Sequence, residues 1–289
     1  MSDCEYRAAR DGEFEQLRVL WKEGFGDSDE FIDEYQRLIY QPQNAEVAFC
    51  DGKIVSMIMV VPTTFHRAGK EPLPAGYAYA LTTAQGYRRR GIGVAVYRSL
   101  TDRKMADGMV CIASSPGDES LLHFYLRHSW KIAFYVRELA IAANELPQAI
   151  QADWTTPEKY NILREASLQG TDHYAFELPV VQMQEYVCRD SGGGLLYFPG
   201  HEPCCAVAEY EGDGHVLISE LLAPDEQLLA CAAGVLQHLP AEKVSIRLPV
   251  WSGESIGAKA VPYAILSPHG EMYHYMMKNP TAYLGLDLC

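Results

Sequence analysis

The chain has 289 residues, 48% hydrophobic and 21% charged, with a formal net charge of -14 at pH 7. That composition supports one or two folded cores and excludes a disordered chain, while the acidic balance argues against nucleic acid as a general partner. The longest apolar run, residues 54–61, is far shorter than the ~20 residues of a membrane span, and "MSDCEYRAARDGEFEQL" has no basic start followed by an apolar stretch, so a cytoplasmic protein with no membrane partner is expected.

From the N-terminus, "EYRAA" reads as a short strand, and Asp11 opens "DGEFEQLRVLWKEGF", where Phe14, Leu17, Leu20 and Trp21 recur at helical spacing. A second helix is expected over "SDEFIDEYQRLIY", with Ser28 as its cap. Asp51-Gly52 between two β-rich runs signals a hairpin. A strand over residues 76–83, a helix over 92–107, a strand over 109–115, a helix over 118–130 and a strand over 131–141 follow. Pro, polar residues and acids mix over residues 144–155, so the expected domains are residues 1–145 and 146–289. Beyond the boundary, helices over 157–168 and 179–190 precede three strands in "GGLLYFPG", "CCAVAEYEGD" and "HVLISELLAP". Asp225 is expected to cap the helix "DEQLLACAAGVLQHL", and "KVSIRLPVW" is a further strand. Two helices, three strands, a helix and a strand repeat the order of the first half. The chain therefore reads as an internal duplication of an α/β (α+β) fold. The eight cysteines lack any CxxC or Cys/His pairing at zinc-like spacing, so reduced thiols are expected and no residue is assigned to a metal.

The junction "TTAQGYRRRGIGVAV" concentrates positive charge and glycine between a strand and a helix. A helix start leaves backbone N–H groups unpaired at the positive end of the helix dipole, a ready site for phosphate. Gly91 and Gly93 let the backbone approach a ligand without an intervening Cβ, and Arg88, Arg89 and Arg90 bring forked donors to the same oxygens. Taken alone, the run also fits a solvated charge cluster closing a tight turn. It is neither GxxxxGK[ST] nor GxGxxG after a first strand, which sets aside a P-loop and a Rossmann site.

"LTTAQGYRRRGIGVAVYRSL" resembles the acetyl-CoA-binding motif of the GNAT family of N-acetyltransferases, Gln/Arg-x-x-Gly-x-Gly/Ala, filled here by Arg88, Gly91 and Gly93. Further on, "DESLLHFYLRHSW" resembles that family's helix ending Phe-Tyr-x-x-x-Gly-Phe, with Phe124, Tyr125 and Trp130 in register. The resemblance implies the GNAT fold, a mixed central sheet flanked by helices, with acetyl-CoA as co-substrate. It implies that the strand before the motif splays from the next parallel strand and that backbone groups of Leu81, Thr82 and Thr83 pair with the pantetheine arm. The pyrophosphate would rest on N–H groups from Arg88 or Arg89 through Ile92 to Val94. Tyr125 matches the family's general acid, which protonates the thiolate leaving group. Asp118 stands where the family often has Asn, and Ser129 replaces the usual Gly at the helix end.

The strand "GYAYALTT" carries no Asp or Glu, a frequent location for the base that neutralises the attacking amine. A distant similarity to tandem acetyltransferases of the mycobacterial enhanced intracellular survival type implies the C-terminal carboxylate of Cys289 as that base, delivered by the apolar tail "AYLGLDLC". His66, His123 and His128 are alternatives. The implied acceptor is a primary amine, on a small molecule or a peptide lysine. The second copy would serve as a wall of the acceptor cleft or as a surface for homo-oligomers. A non-catalytic acyl-CoA-binding or regulatory protein is the competing reading.

Overall fold

Strand β1 (Cys4–Ala8) leads into helix α1 (Phe14–Phe25), whose Phe14, Leu17, Leu20 and Trp21 are its buried residues, the face that 3.6-residue periodicity dictates. A computed structural model describes residues 4–268, 270 and 272–288 of the chain. Helix α2 (Asp29–Leu38) starts where the Ser28 hydroxyl accepts from the Phe31 N–H at 3.1 Å. Strands β2 (Ala45–Cys50) and β3 (Lys53–His66) are joined by Asp51 and Gly52 at φ 53° and 81°, the left-handed pair that a two-residue hairpin turn requires. Strand β4 (Leu73–Thr83), helix α3 (Ile92–Ala106), strand β5 (Ile112–Ser114) and helix α4 (Glu119–Arg127) follow.

The chain divides into two compact units that interleave in sequence. The first comprises Met1–Thr64, Leu73–Lys131 and Ile265–Met277. Its strands lie in the order β1-β2-β3-β4-β5, antiparallel from β1 to β3, with β4 and β5 parallel. Cys4 stands directly opposite Cys50 in the β1–β2 register with Cα atoms 4.5 Å apart, and the two form a disulfide. This corrects the expectation that all cysteines are reduced. Strand register, set by the hairpin and by the face each strand buries, brings together thiols 46 residues apart, a proximity invisible in spacing. Cys111, Cys188, Cys204, Cys205 and Cys231 are buried and take no part in the disulfide.

The second unit comprises Phe65–Pro72, Ile132–Ala264 and Lys278–Cys289. Its elements are β6 (Lys131–Ala142), β7 (Asp153–Trp154), α5 (Pro157–Ser167), β8 (His173–Ala175), α6 (Leu178–Asp190), β9 (Gly194–Tyr197), β10 (Cys205–Gly212), β11 (His215–Leu222), α7 (Leu228–His238), β12 (Lys243–Pro249) and β13 (Lys259–Leu266). Strands run β6-β12-β11-β10-β9-β7, with β11 and β12 parallel and the other neighbours antiparallel. Leu228, Cys231, Ala232 and Val235 of α7 pack into one core with Ala206, Ile218, Val244 and Ile246 of the strands. The last two residues of β13, Ile265 and Leu266, pair with β5 in the first unit, and helix α8 (Tyr273–Lys278) follows.

Asp225 does not cap α7. It lies in a short 3-10 turn before the helix, and its carboxylate accepts from Ser252 Oγ at 2.6 Å and the Gly253 N–H at 3.1 Å, because the turn after β12 offers donors at closer range than the helix start. Arg164 and Glu220, both fully buried, pair at 3.0 Å; the guanidinium also donates to the carbonyls of Tyr174 and Leu284, and Tyr160 donates to the carboxylate. Every charge in that cluster is met, the condition for ions in a core. Tyr283, Leu284, Leu286 and Leu288 of the tail are buried.

Candidate functional site

The site is built on the end of β4. The parallel ladder with β5 covers Gly76–Ile112 and Tyr77–Ala113 and then stops, while β4 continues to Thr83. Ser114 closes β5 by donating its hydroxyl to the Ala78 carbonyl at 3.0 Å. Two residues further along β4, Ala80 takes a φ of 53°, a left-handed residue inside a strand. Such a conformation strains a residue with a Cβ, and strain of this kind collects at functional sites. The strand end is fixed from below: the Ser56 hydroxyl of β3 donates to the Thr82 carbonyl at 2.8 Å and bonds Thr83 Oγ1 at 2.8 Å. From the side, α1 comes so close that a Cβ on Gly24 would lie 2.4 Å from Thr82 Oγ1.

The chain then turns into α3. Arg89 at φ 62° and Gly91 at φ 80° swing the backbone so that Gly91 becomes the helix N-cap, with no side chain capping it. The first N–H with a backbone partner is that of Ala95, bonded to the Gly91 carbonyl at 3.0 Å, so the N–H groups of Ile92, Gly93 and Val94 are left for a ligand. At Gly91 a Cβ would meet nothing within 4 Å, and at Gly93 only Thr83 Oγ1 at 3.3 Å, which is the open backbone cradle a pyrophosphate needs. Arg88, Arg89 and Arg90 are exposed, and none makes an ion pair among the described residues. Arg88 Nε donates to the Thr83 carbonyl at 2.8 Å, fastening the turn to the strand. Arg90 stands 5.1 Å and Lys53 5.2 Å from the centroid of the Tyr87 ring, so Lys53 adds a fourth cation.

A cleft of about 460 Å³ is lined by Leu81, Thr82, Thr83, Tyr87, Arg88, Arg89, Gly91, Ile92, Gly93 and Val94, with Leu121, Phe124 and His128 of α4 and its end forming the far wall. Nine of the eleven expected cofactor-binding positions thereby line one cleft, and Arg90, outside the lining, has its guanidinium 5.1 Å from the centroid of the lining Tyr87 ring. Asp118 instead caps α4, its carboxylate accepting from the Leu121 N–H at 2.8 Å, a bond that holds its pKa below the usual range. It does not line the cleft. Tyr125 is 2% exposed and packed against Trp130 at 4.9 Å; it stands near Ser114 at the end of β5 and is not among the residues that line the cleft. Burial pushes its phenol well above the ordinary range. Ser129 takes the left-handed conformation, φ 75°, that the family's Gly would adopt without strain.

Cys289 lies outside the described residues. His123 is exposed, and His66 belongs to the second unit. Sequence reasoning missed Ser56, Gly24, Ala80, Ser114 and Lys53. Only Gly24 carries a local signal, a glycine near the end of a helix where close approach of another backbone is one standard cause.

A freed strand end that meets a helix start with no side-chain cap, beside three exposed arginines, belongs to an α/β domain. Residues 5–133 match the family model of the acetyltransferase (GNAT) domain, and this part of the chain is a GNAT acetyltransferase domain. No curated protein matches the sequence. Among solved structures, a GCN5-related N-acetyltransferase from Kribbella flavida superposes with a TM-score of 0.69 at 12% identity, covering 92% of this chain and 71% of that one. One from Anabaena variabilis gives 0.72 at 14%, covering 91% and 72%. Eis1 from Mycobacterium abscessus gives 0.66 at 13%, covering 91% and 73%. These likenesses establish the fold over most of the chain. Among the described residues, no helix is long and apolar enough to cross a membrane.

Proposed function

We propose that this domain transfers the acetyl group of acetyl-CoA to a primary amine, on a small molecule or a lysine, by direct attack without a covalent enzyme intermediate. The observation that carries the reading is the meeting, at one cleft, of the freed end of β4, three helix-start N–H groups without a partner among the described residues, and arginines with no acidic partner among them. Ile92, Gly93 and Val94 offer N–H groups to the pyrophosphate, Arg88 and Arg89 add charge-assisted donors, and Leu81, Thr82 and Thr83 offer backbone to the pantetheine arm. Bound acetyl-CoA supplies an activated acyl carbon. Tyr125, held in its neutral form by burial, keeps a proton at the strand gap for the departing sulfur. His128 is the side chain on the cleft wall able to take a proton from the incoming amine.

The second unit reads as a degenerate copy. It repeats the order of two helices, strands, a helix and a parallel strand, but sets the carboxylate of Asp225, not glycines and arginines, before α7. A negative charge there disfavours phosphate. A non-catalytic acyl-CoA-binding role is supported by one observation: among the described residues, no carboxylate lines the cleft to act as base. The test has two stages. Calorimetric titration with acetyl-CoA should give micromolar binding that Gly91→Glu abolishes, and absence of binding by the unaltered chain rejects both readings. Acetyl transfer to a panel of polyamines, aminoglycosides and lysine peptides then separates them, since binding without turnover on any amine selects the non-catalytic one.

A further inference from the structure

Three residues far apart in sequence meet in the second unit: His66 at the end of β3, Glu165 in α5 and His173 at the start of β8. One ligand-type atom from each lies within 4.8 Å of the others, and the two imidazole rings are 4.8 Å apart. His173 Nδ1 is 3.0 Å from the Thr171 carbonyl, which can only accept, so Nδ1 carries the proton. In the neutral ring this turns the bare Nε2 lone pair toward Glu165 Oε2 at 3.1 Å. Two acceptors facing each other are stable only with a cation or a proton between them. The other oxygen of Glu165 is held by Arg164 at 3.1 Å, and the charge of Arg164 is already matched by Glu220. Both His173 and Glu165 are thus oriented from behind by a hydrogen bond, the outer-shell arrangement that metal ligands show.

From this geometry we infer that His66, Glu165 and His173 form a binding site for a divalent d-block cation, zinc in particular, independent of the acetyl-transfer reading. Two imidazoles and a carboxylate suit zinc and its neighbours and do not suit magnesium or calcium, which take oxygen. In a tetrahedral site with bonds of 2.0–2.1 Å, ligand atoms stand about 3.3 Å apart. The His173–Glu165 pair already has that spacing, and the half-buried His66 ring closes the remainder by a small swing at the end of its strand. His173 is 2% exposed while the Glu165 side chain is 30% exposed, so the site opens to solvent on one side and leaves a position for water. Bound metal would fasten the Phe65–Pro72 segment to α5 and β8, beside the bond that Asp172 accepts from the Ala68 N–H at 2.9 Å.

The test uses the full chain, stripped with a chelator and titrated calorimetrically with ZnCl2, then with Co²⁺ to read the visible bands of a tetrahedral nitrogen/oxygen site. His66→Asn and Glu165→Gln, both at partly exposed positions, are run beside it with folding checked by circular dichroism, and Cys204→Ser/Cys231→Ser controls for thiol binding. The expected result is one equivalent of Zn²⁺ per chain, a dissociation constant raised at least tenfold by either ligand substitution, no change in the thiol variant, and a melting temperature raised by Zn²⁺ only where the ligands are intact. No saturable binding by the unaltered chain would mean that a proton alone joins His173 and Glu165, and overturns the site. Unchanged affinity in whichever folded ligand variant is obtained overturns it equally.

Discussion

Tyr125→Phe removes one oxygen from a buried ring whose other contacts are aromatic, so the fold should tolerate it. Its cost should fall on chemistry: turnover lowered by ~10²-fold or more with acetyl-CoA affinity unchanged. Equal rates for the two proteins, measured at saturating acetyl-CoA, would remove the acid role. Glu209 makes a separate prediction. Burial, with the charges of Asp287 and Glu211, raises its pKa to about 7. A carboxyl raised in the folded state from an ordinary value near 4.5 favours folding below that value and loses its contribution as pH climbs to 7. Glu209→Gln should therefore melt like the unaltered chain at pH 4 and at a higher temperature at pH 8; identical melts at both pH values would contradict this. At this scale the sequence was legible wherever a residue type announces its own conformation. Gly91 and Gly93 declare an open backbone and Arg88 a free charge, whereas nothing in an alanine announces the φ of 53° at Ala80.

Between elements, the decisive contact is the approach of α1 to β4. Gly24→Ala would place a methyl group 2.4 Å from Thr82 Oγ1 and 2.8 Å from its Cβ, and the latter cannot rotate away. Strain of ~1–3 kcal/mol is expected, and relief by displacing Thr82 disturbs the strand end proposed above to receive the pantetheine arm. Both the melting temperature and acetyl-CoA affinity should fall, although Gly24 does not line the cleft. A variant with lowered stability and unaltered affinity would show that the strand end does not yield. The elements that periodicity could reach, from α1 to β6 and, β8 apart, from α5 to β12, were legible because each carries a buried face or a turn of known chemistry. Strands β7 and β8 span two and three residues, too few for alternation, and Pro262 inside β13 argues against a strand.

Across the whole molecule, the Cys4–Cys50 bond closes a loop of sequence separation 46, for which chain entropy alone gives about 4 kcal/mol at 25 °C. Reductant should lower the melting temperature of the unaltered chain by several degrees and leave Cys50→Ser unmoved; superimposable melts would show that the bond does not form in solution. This pairing, like the convergence of His66, Glu165 and His173, depends on residues brought together by topology. No reading of local spacing could have found either.

The interleaving of the two units also bears on how the chain is made. Strand β5 of the first unit receives its outer neighbour from Ile265 and Leu266, and the stretch from Ile132 to Ala264 must be synthesised in between. At translation rates of ~5–20 residues per second that delay is on the order of ten seconds. Throughout it, the nascent chain holds residues 5–133 of the GNAT domain with the edge of β5 still unpaired by its own C-terminal segment, and an unpaired strand edge is a template for pairing with another chain.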